Sequence, residues 1–180
     1  MRKYFTLLLS ITLICCFSSC GSNGQTSSET TSVADDSLTI LAGQQWLKNN
    51  IETFFNNDGE FLKGLSSLCT EEYTEFKTDA MNIDMDGGMT ESEFKAKWGR
   101  RYSPYAGIGE GFMIAGTDFG QIKVSECTFK NKTEMNGFLY DVVILDTTFN
   151  SKFVRQVVLV KSGDSFLIDD VLEISNEFGG

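Results

Sequence analysis

The apolar residues of this chain change period once, and that change constrains the fold more than any single motif. From Leu38 to Phe55, Leu47, Ile51, Phe54 and Phe55 fall at helical spacing, with Leu41 and Trp46 upstream and Asn-Asn-Asp-Gly closing the run. Phe61, Leu65, Leu68, Cys69 and Phe76 predict a second helix in which Gly64 is a weak point. Thr90-x-x-Glu93 forms a capping box ahead of Phe94 and Trp98, so a third, short helix is expected to about Arg101. Beyond a glycine-rich passage the period becomes two, with strands expected near 121–130, 138–148, 153–161 and 165–174. Helices first and hairpin-linked strands second predict an α+β domain, its N-terminal helices packed on a curved, mainly antiparallel sheet of four or more strands. A 41% apolar composition over 180 residues supplies one core, so residues 37–178 are expected to form a single domain.

The first 22 residues, MRKYFTLLLSITLICCFSSCGS, serve a different purpose. Arg2 and Lys3 precede an apolar run from Tyr4 to Phe17, too short for the ~20 residues of a spanning helix, and small residues lead to Cys20-Gly21. Residues 1–19 therefore read as a signal peptide. The stretch Phe-Ser-Ser-Cys-Gly resembles the lipobox of bacterial lipoproteins, with Phe17 where leucine is usual. The resemblance implies that Cys20 becomes the first residue after cleavage and carries acyl chains, palmitate among them. It also implies a cell-envelope address, anchored to the inner or outer membrane and facing the periplasm or the cell exterior. Residues 21–36 are small and polar, so 20–36 reads as lipidated cysteine plus flexible tether. Asp36 or Ser37 is the expected N-cap of the first helix, and Asp36-Ser37-Leu38 also resembles the sequon of some bacterial O-glycosylation systems.

The element order, with its last strand reading Asp-Ser-Phe-Leu-Ile-Asp-Asp-Val-Leu-Glu, resembles the nuclear-transport-factor-2-like cone folds, including domains of uncharacterised function in bacterial lipoproteins. The resemblance covers about residues 38–174. It implies a curved sheet around a helix, a pocket at the open end and a homodimer formed through the sheet. Such folds host enzymes and binding modules alike, so function must come from the site.

A hairpin turn at Lys161-Ser162-Gly163-Asp164 sets Leu159 against Phe166, Val157 against Ile168 and Arg155 against Asp170. A turn at Asn150-Ser151 sets Ile144 against Val157, Val142 against Leu159 and Asp146 against Arg155. One face is then Val142, Ile144, Val157, Leu159, Phe166 and Ile168, crossed by a charged row, Asp146–Arg155–Asp170. The other, wetter face carries Asp141, Gln156, Asp169 and Glu173. The row is either a structural ion row or a ligand-binding set, with Arg155 as anion anchor and Asp146 or Asp170 as general base of a small pocket enzyme.

Residues 82–93, NIDMDGGMTESE, resemble an EF-hand calcium loop. Asn82, Asp84, Asp86, the Gly88 carbonyl, Thr90 and Glu93 fall at the ligand positions, with Gly87 at the turn. The resemblance implies a weak, structural Ca2+ site. The capping box competes for Glu93, because one rotamer cannot serve both. Gly107-x-Gly109-x-Gly111 lacks the spacing and the lysine of a phosphate loop. Cys69 and Cys127 form either a disulfide or two buried thiols.

Histidine is absent, which removes Ser-His and Cys-His catalysis and most zinc sites. The formal charge is −10, and the leader removes two cations and no acid, giving −12, so nucleic acid is excluded as a partner. The expectation is a membrane-tethered, exported binding or interaction module for a small ligand or envelope protein, with the pocket enzyme as alternative.

Overall fold

The computed structural model describes residues 28–57, 61–103, 112–116 and 118–179, with side chains of 28–35 and 61–63 excepted. The signal peptide, Cys20 and the first part of the tether lie outside these residues, as does the glycine-rich 107–111 stretch.

Four helices precede four strands: α1 (Ser28–Asn56), α2 (Phe61–Leu68), α3 (Glu71–Met81), α4 (Glu91–Trp98), β1 (Ile122–Lys132), β2 (Phe138–Asp146), β3 (Ser151–Ser162) and β4 (Ser165–Glu177). The strands form an open antiparallel sheet in sequence order, so the fold is α+β with its helices N-terminal to the sheet. Two helix ends differ from the periodicity. α1 begins at Ser28, ten residues ahead of Leu38, so Asp36 and Ser37 lie inside it and cannot cap it. The Asp36 carboxylate instead takes both oxygens to Lys132 Nζ, each at 2.7 Å. The expected second helix is two helices, broken at Cys69-Thr70. Thr70 is extended (φ −62°, ψ 154°) and its hydroxyl accepts the Tyr73 N–H, which makes it the N-cap of α3. Its own N–H donates to the Ile168 carbonyl, so the break also stitches the helices to β4.

α1 joins the sheet through two adjacent stripes. Leu47, Ile51 and Phe55 are buried in the core, and Gly43 lets the backbone pass so close to Tyr140 that an added Cβ would stand 2.4 Å from its hydroxyl oxygen. One residue further on, Gln44, Glu52 and Asn56 reach the outer edge of β1. Asn56 accepts from the Ile122 N–H at 2.9 Å and donates to the Ile122 carbonyl at 2.8 Å. Glu52 accepts from the Val124 N–H at 2.9 Å, and Gln44 donates to the Cys127 carbonyl at 2.6 Å. Four helical residues rise ~6 Å and two strand residues ~6.6–6.8 Å, so Asn56 and Glu52 match Ile122 and Val124, while Gln44 reaches Cys127 beyond the β1 bulge. The helical layer closes around aromatics: Phe76 stacks on Phe94 at 5.4 Å and lies 4.5 Å from Tyr102, with Trp98 at 5.7 Å and Tyr73 at 5.8 Å.

Asn56→Ala leaves both Ile122 backbone groups to water. We expect it to lower the free energy of unfolding by about 1 kcal/mol in urea titration, with an unchanged m-value.

Candidate functional site

The sheet keeps the predicted faces on β2, β3 and the start of β4, but not the predicted partners. Val142, Ile144, Val157, Leu159, Phe166 and Ile168 are all buried in the core. Their partners are displaced: Ile144 faces Phe153, Val142 faces Arg155, Asp146 faces Ser151 and Leu159 faces Ile168. The β2–β3 register slips by an even number of residues because the turn occupies 147–150, and an even slip preserves side-chain parity. The β3–β4 hairpin turns on Gly163-Asp164 with Ser162 opposite Ser165, and the register then shifts between Val158 and Leu159. Asp169 is the extra residue of that bulge. Arg155 consequently faces Glu173 and not Asp170, and the row Asp146–Arg155–Asp170 does not exist as a unit.

Each member has other work. Asp146 is buried and organises the turn that follows it: Oδ1 accepts the Thr148 and Phe149 N–H groups at 2.9 and 3.1 Å, and Oδ2 accepts the Gly120 N–H at 2.8 Å. Arg155 is 0% exposed. Its Nη1 donates to the Val154 and Ser175 carbonyls at 2.9 and 3.0 Å, its Nη2 donates to Asn176 Oδ1 at 2.7 Å, and Glu173 lies 3.6 Å away. A guanidinium so committed fastens the end of β4 to β3 and is not a free anion anchor.

The bulge assembles a set that sequence reasoning missed. It turns Asp169, expected on the wet face, into a buried position against the helices. Thr70 Oγ1 donates to Asp169 Oδ1 at 3.0 Å, and Arg101 Nη2 bonds Asp169 Oδ2. Arg101 Nε donates to Glu72 at 3.2 Å, and its guanidinium lies 4.3 Å over the Tyr102 ring. Asp170, alongside, is half-buried, and desolvation pushes its carboxyl up to about 6, against the backbone N–H of Val171 and the charge of Arg101, which pull it down. Burial also pushes the Tyr73 and Tyr102 phenols up, with Asp170 contributing in the same direction. The Tyr102 hydroxyl is buried without a hydrogen-bond partner. The alternation of β4 carries no sign of this bulge, because the partners of Asp169, Thr70 and Arg101, lie in the helical half.

The 82–93 segment closes as a self-bonded turn. Asp84 N–H donates to the Met89 carbonyl at 3.1 Å and Gly88 N–H to the Met85 carbonyl at 2.9 Å, with Gly87 at φ +83°. Asn82 Nδ2 folds back onto the Thr78 carbonyl at 2.9 Å. Glu93 Oε2 accepts both the Thr90 N–H and the Thr90 hydroxyl at 2.8 Å, which lowers its pKa and completes the capping box. Among the described residues no three His, Cys, Asp or Glu side chains are grouped to hold a metal ion. Of the expected ligands Asn82, Asp84, Asp86, Gly88, Thr90 and Glu93, Asn82 is thus bonded to the end of α3 and Glu93 and Thr90 to each other in the helix cap.

Cys69 and Cys127 are both free thiols. Cys69 pairs with Ile168 on β4, and Cys127 lies on β1, at the other edge of the sheet. Three strand spacings of ~4.8 Å exceed the ~7 Å a disulfide can span between Cα atoms. Burial pushes the Cys127 thiol up to about 11 and the Cys69 thiol higher still.

No family model, curated protein or solved structure matches the chain.

Removing the Arg155 fork strands the carbonyls it binds and leaves Glu173 without its cation. We expect Arg155→Ala to cost roughly 3–5 kcal/mol of stability in thermal or urea unfolding, and Arg155→Lys to recover only part of it for want of the planar fork.

Proposed function

We propose that this chain is an exported bacterial lipoprotein that holds one α+β binding module close to a membrane through acylated Cys20. One observation carries the reading: the series of Arg2-Lys3, the apolar run from Tyr4 to Phe17, and Ser18-Ser19-Cys20-Gly21. Several acyl chains on one cysteine supply far more membrane affinity than a single one, at ~0.8 kcal/mol per buried methylene, so no spanning helix is required. No described helix is long and apolar enough to cross a membrane. The module serves a small ligand or an envelope protein, and its acid excess disfavours anionic partners. In cells fed an alkyne analogue of palmitate, the wild-type protein is expected to take up label and sediment with membranes. Cys20→Ala is expected to do neither, and unlabelled wild-type protein in the soluble fraction overturns the reading.

A second reading, the small pocket enzyme, keeps one supporting observation. Asp170 is pushed up to about 6, where a carboxylate serves as general base near neutral pH. Asp146 and Arg155 no longer support it, being bound to backbone. The raised pKa has a stability consequence whose sign is fixed. Between the ordinary carboxylate range near 4 and about 6, the folded state holds the Asp170 proton that the unfolded state has lost, so stability falls as pH rises through that window. We expect Asp170→Asn to be more stable than wild type at pH 7.5 by on the order of 1–2 kcal/mol, with the difference closing toward pH 4. A wild-type carboxyl that titrates near 4 by NMR removes the second reading.

A further inference from the structure

We propose that the bilayer holding Cys20 lies against the hairpin end of the domain, with Met135 turned toward it, and that the end carrying Phe149, Ile174 and Phe178 points away. The inference rests on the Cys20 anchor proposed above and adds a direction to it.

The direction comes from the course of α1. Asn56 sits at Ile122, Gln44 at Cys127 and Asp36 at Lys132, so α1 runs antiparallel to β1. The start of α1 therefore lies at the end of the sheet that carries the β1–β2 turn at 133–137 and the β3–β4 turn at Gly163-Asp164. The Asp36–Lys132 pair clamps the helix to that end. The opposite end holds the 147–150 turn and the last residues of β4.

Covalent lengths then exclude a domain standing on the opposite end. Eight Cα steps join Cys20 to Ser28, and a fully extended chain spans at most ~3.6 Å per step, or about 29 Å. The 29 residues of α1, at ~1.5 Å rise each, set Ser28 and Asn56 about 42 Å apart. A domain standing on its Phe149 end would hold Ser28 about 42 Å above the bilayer, beyond the reach of the anchor. Standing on the hairpin end needs almost none of that reach. The β1–β2 tip carries one side chain suited to a lipid interface, Met135, which is 66% exposed.

The test uses the full-length acylated protein in phosphatidylcholine vesicles that contain nitroxide-labelled lipid. Cys69 and Cys127 are replaced by alanine, and a single environment-sensitive fluorophore is attached at Met135→Cys or at Phe149→Cys. Quenching is expected to be several-fold stronger at position 135 than at 149. Mass spectrometry of the N-terminal peptide from the same sample separates the two ways of failing. An unacylated Cys20 overturns the anchor and the direction together. An acylated Cys20 with equal quenching at both positions, as for a domain lying on its side, or with stronger quenching at 149, overturns the direction alone.

Discussion

The bonds from Asn56, Glu52 and Gln44 to the outer edge of β1 hold the two halves of the domain in one register. An open sheet leaves two edges of unpaired backbone groups, and each needs a cover if the sheet is not to recruit another chain. α1 covers one by geometry alone. Because successive helical residues are rotated by ~100°, the residue after each core-facing side chain points to the flank of the helix. Leu47, Ile51 and Phe55 enter the core, so Lys48, Glu52 and Asn56 fall along the edge of β1. Cys69 and Thr70 cover part of the β4 edge through Ile168, at the break between α2 and α3. The helical half is thus bonded to both edges of the sheet and packed on its face.

The strand half shows what alternation can and cannot reveal. Side-chain period two fixes which residues share a face, and Val142, Ile144, Val157, Leu159, Phe166 and Ile168 do share one. It is blind to slips of two or four residues, because these leave the face unchanged while changing every partner. The 147–150 turn was therefore invisible to the pattern, although Asp146 marks it physically by accepting three backbone N–H groups around it. Bulges are the second blind spot. The hairpin's slip of two residues already separates Asp170 from Arg155, and the insertion at Asp169 then reverses parity along β4, moving Asp170 to the other face and delivering Asp169 to Thr70 and Arg101.

The residues singled out by chemistry turn out to be engaged by the backbone. Arg155 binds two carbonyls, Asp146 binds three N–H groups and Glu93 binds the Thr90 N–H. Residue type alone could not separate these uses from ligand binding, since a buried ion and a liganding ion satisfy the same requirement for partners. Thr90-x-x-Glu93 was legible as a cap because its partners are local, three residues apart. Arg101 was not, because its partners Glu72 and Asp169 lie on α3 and β4 and only tertiary structure brings them together.

The charge balance follows from the same pairing. Lys97 serves Glu75 and Asp79, Arg101 serves Glu72 and Asp169, Lys130 serves Asp141, Lys132 serves Asp36, and Lys152 serves Glu177. Apart from Arg101–Asp169, which is largely buried, exposed pairs of this kind contribute only ~0–1 kcal/mol each to stability, so their main effect is on the field. Cations spent within the domain leave an acid excess outside it, which steers neutral or basic partners in and keeps phosphate away. The same field repels anionic headgroups. Any close contact between this domain and a bilayer must then rest on acyl chains and on apolar tips such as Met135, with lysines contributing little.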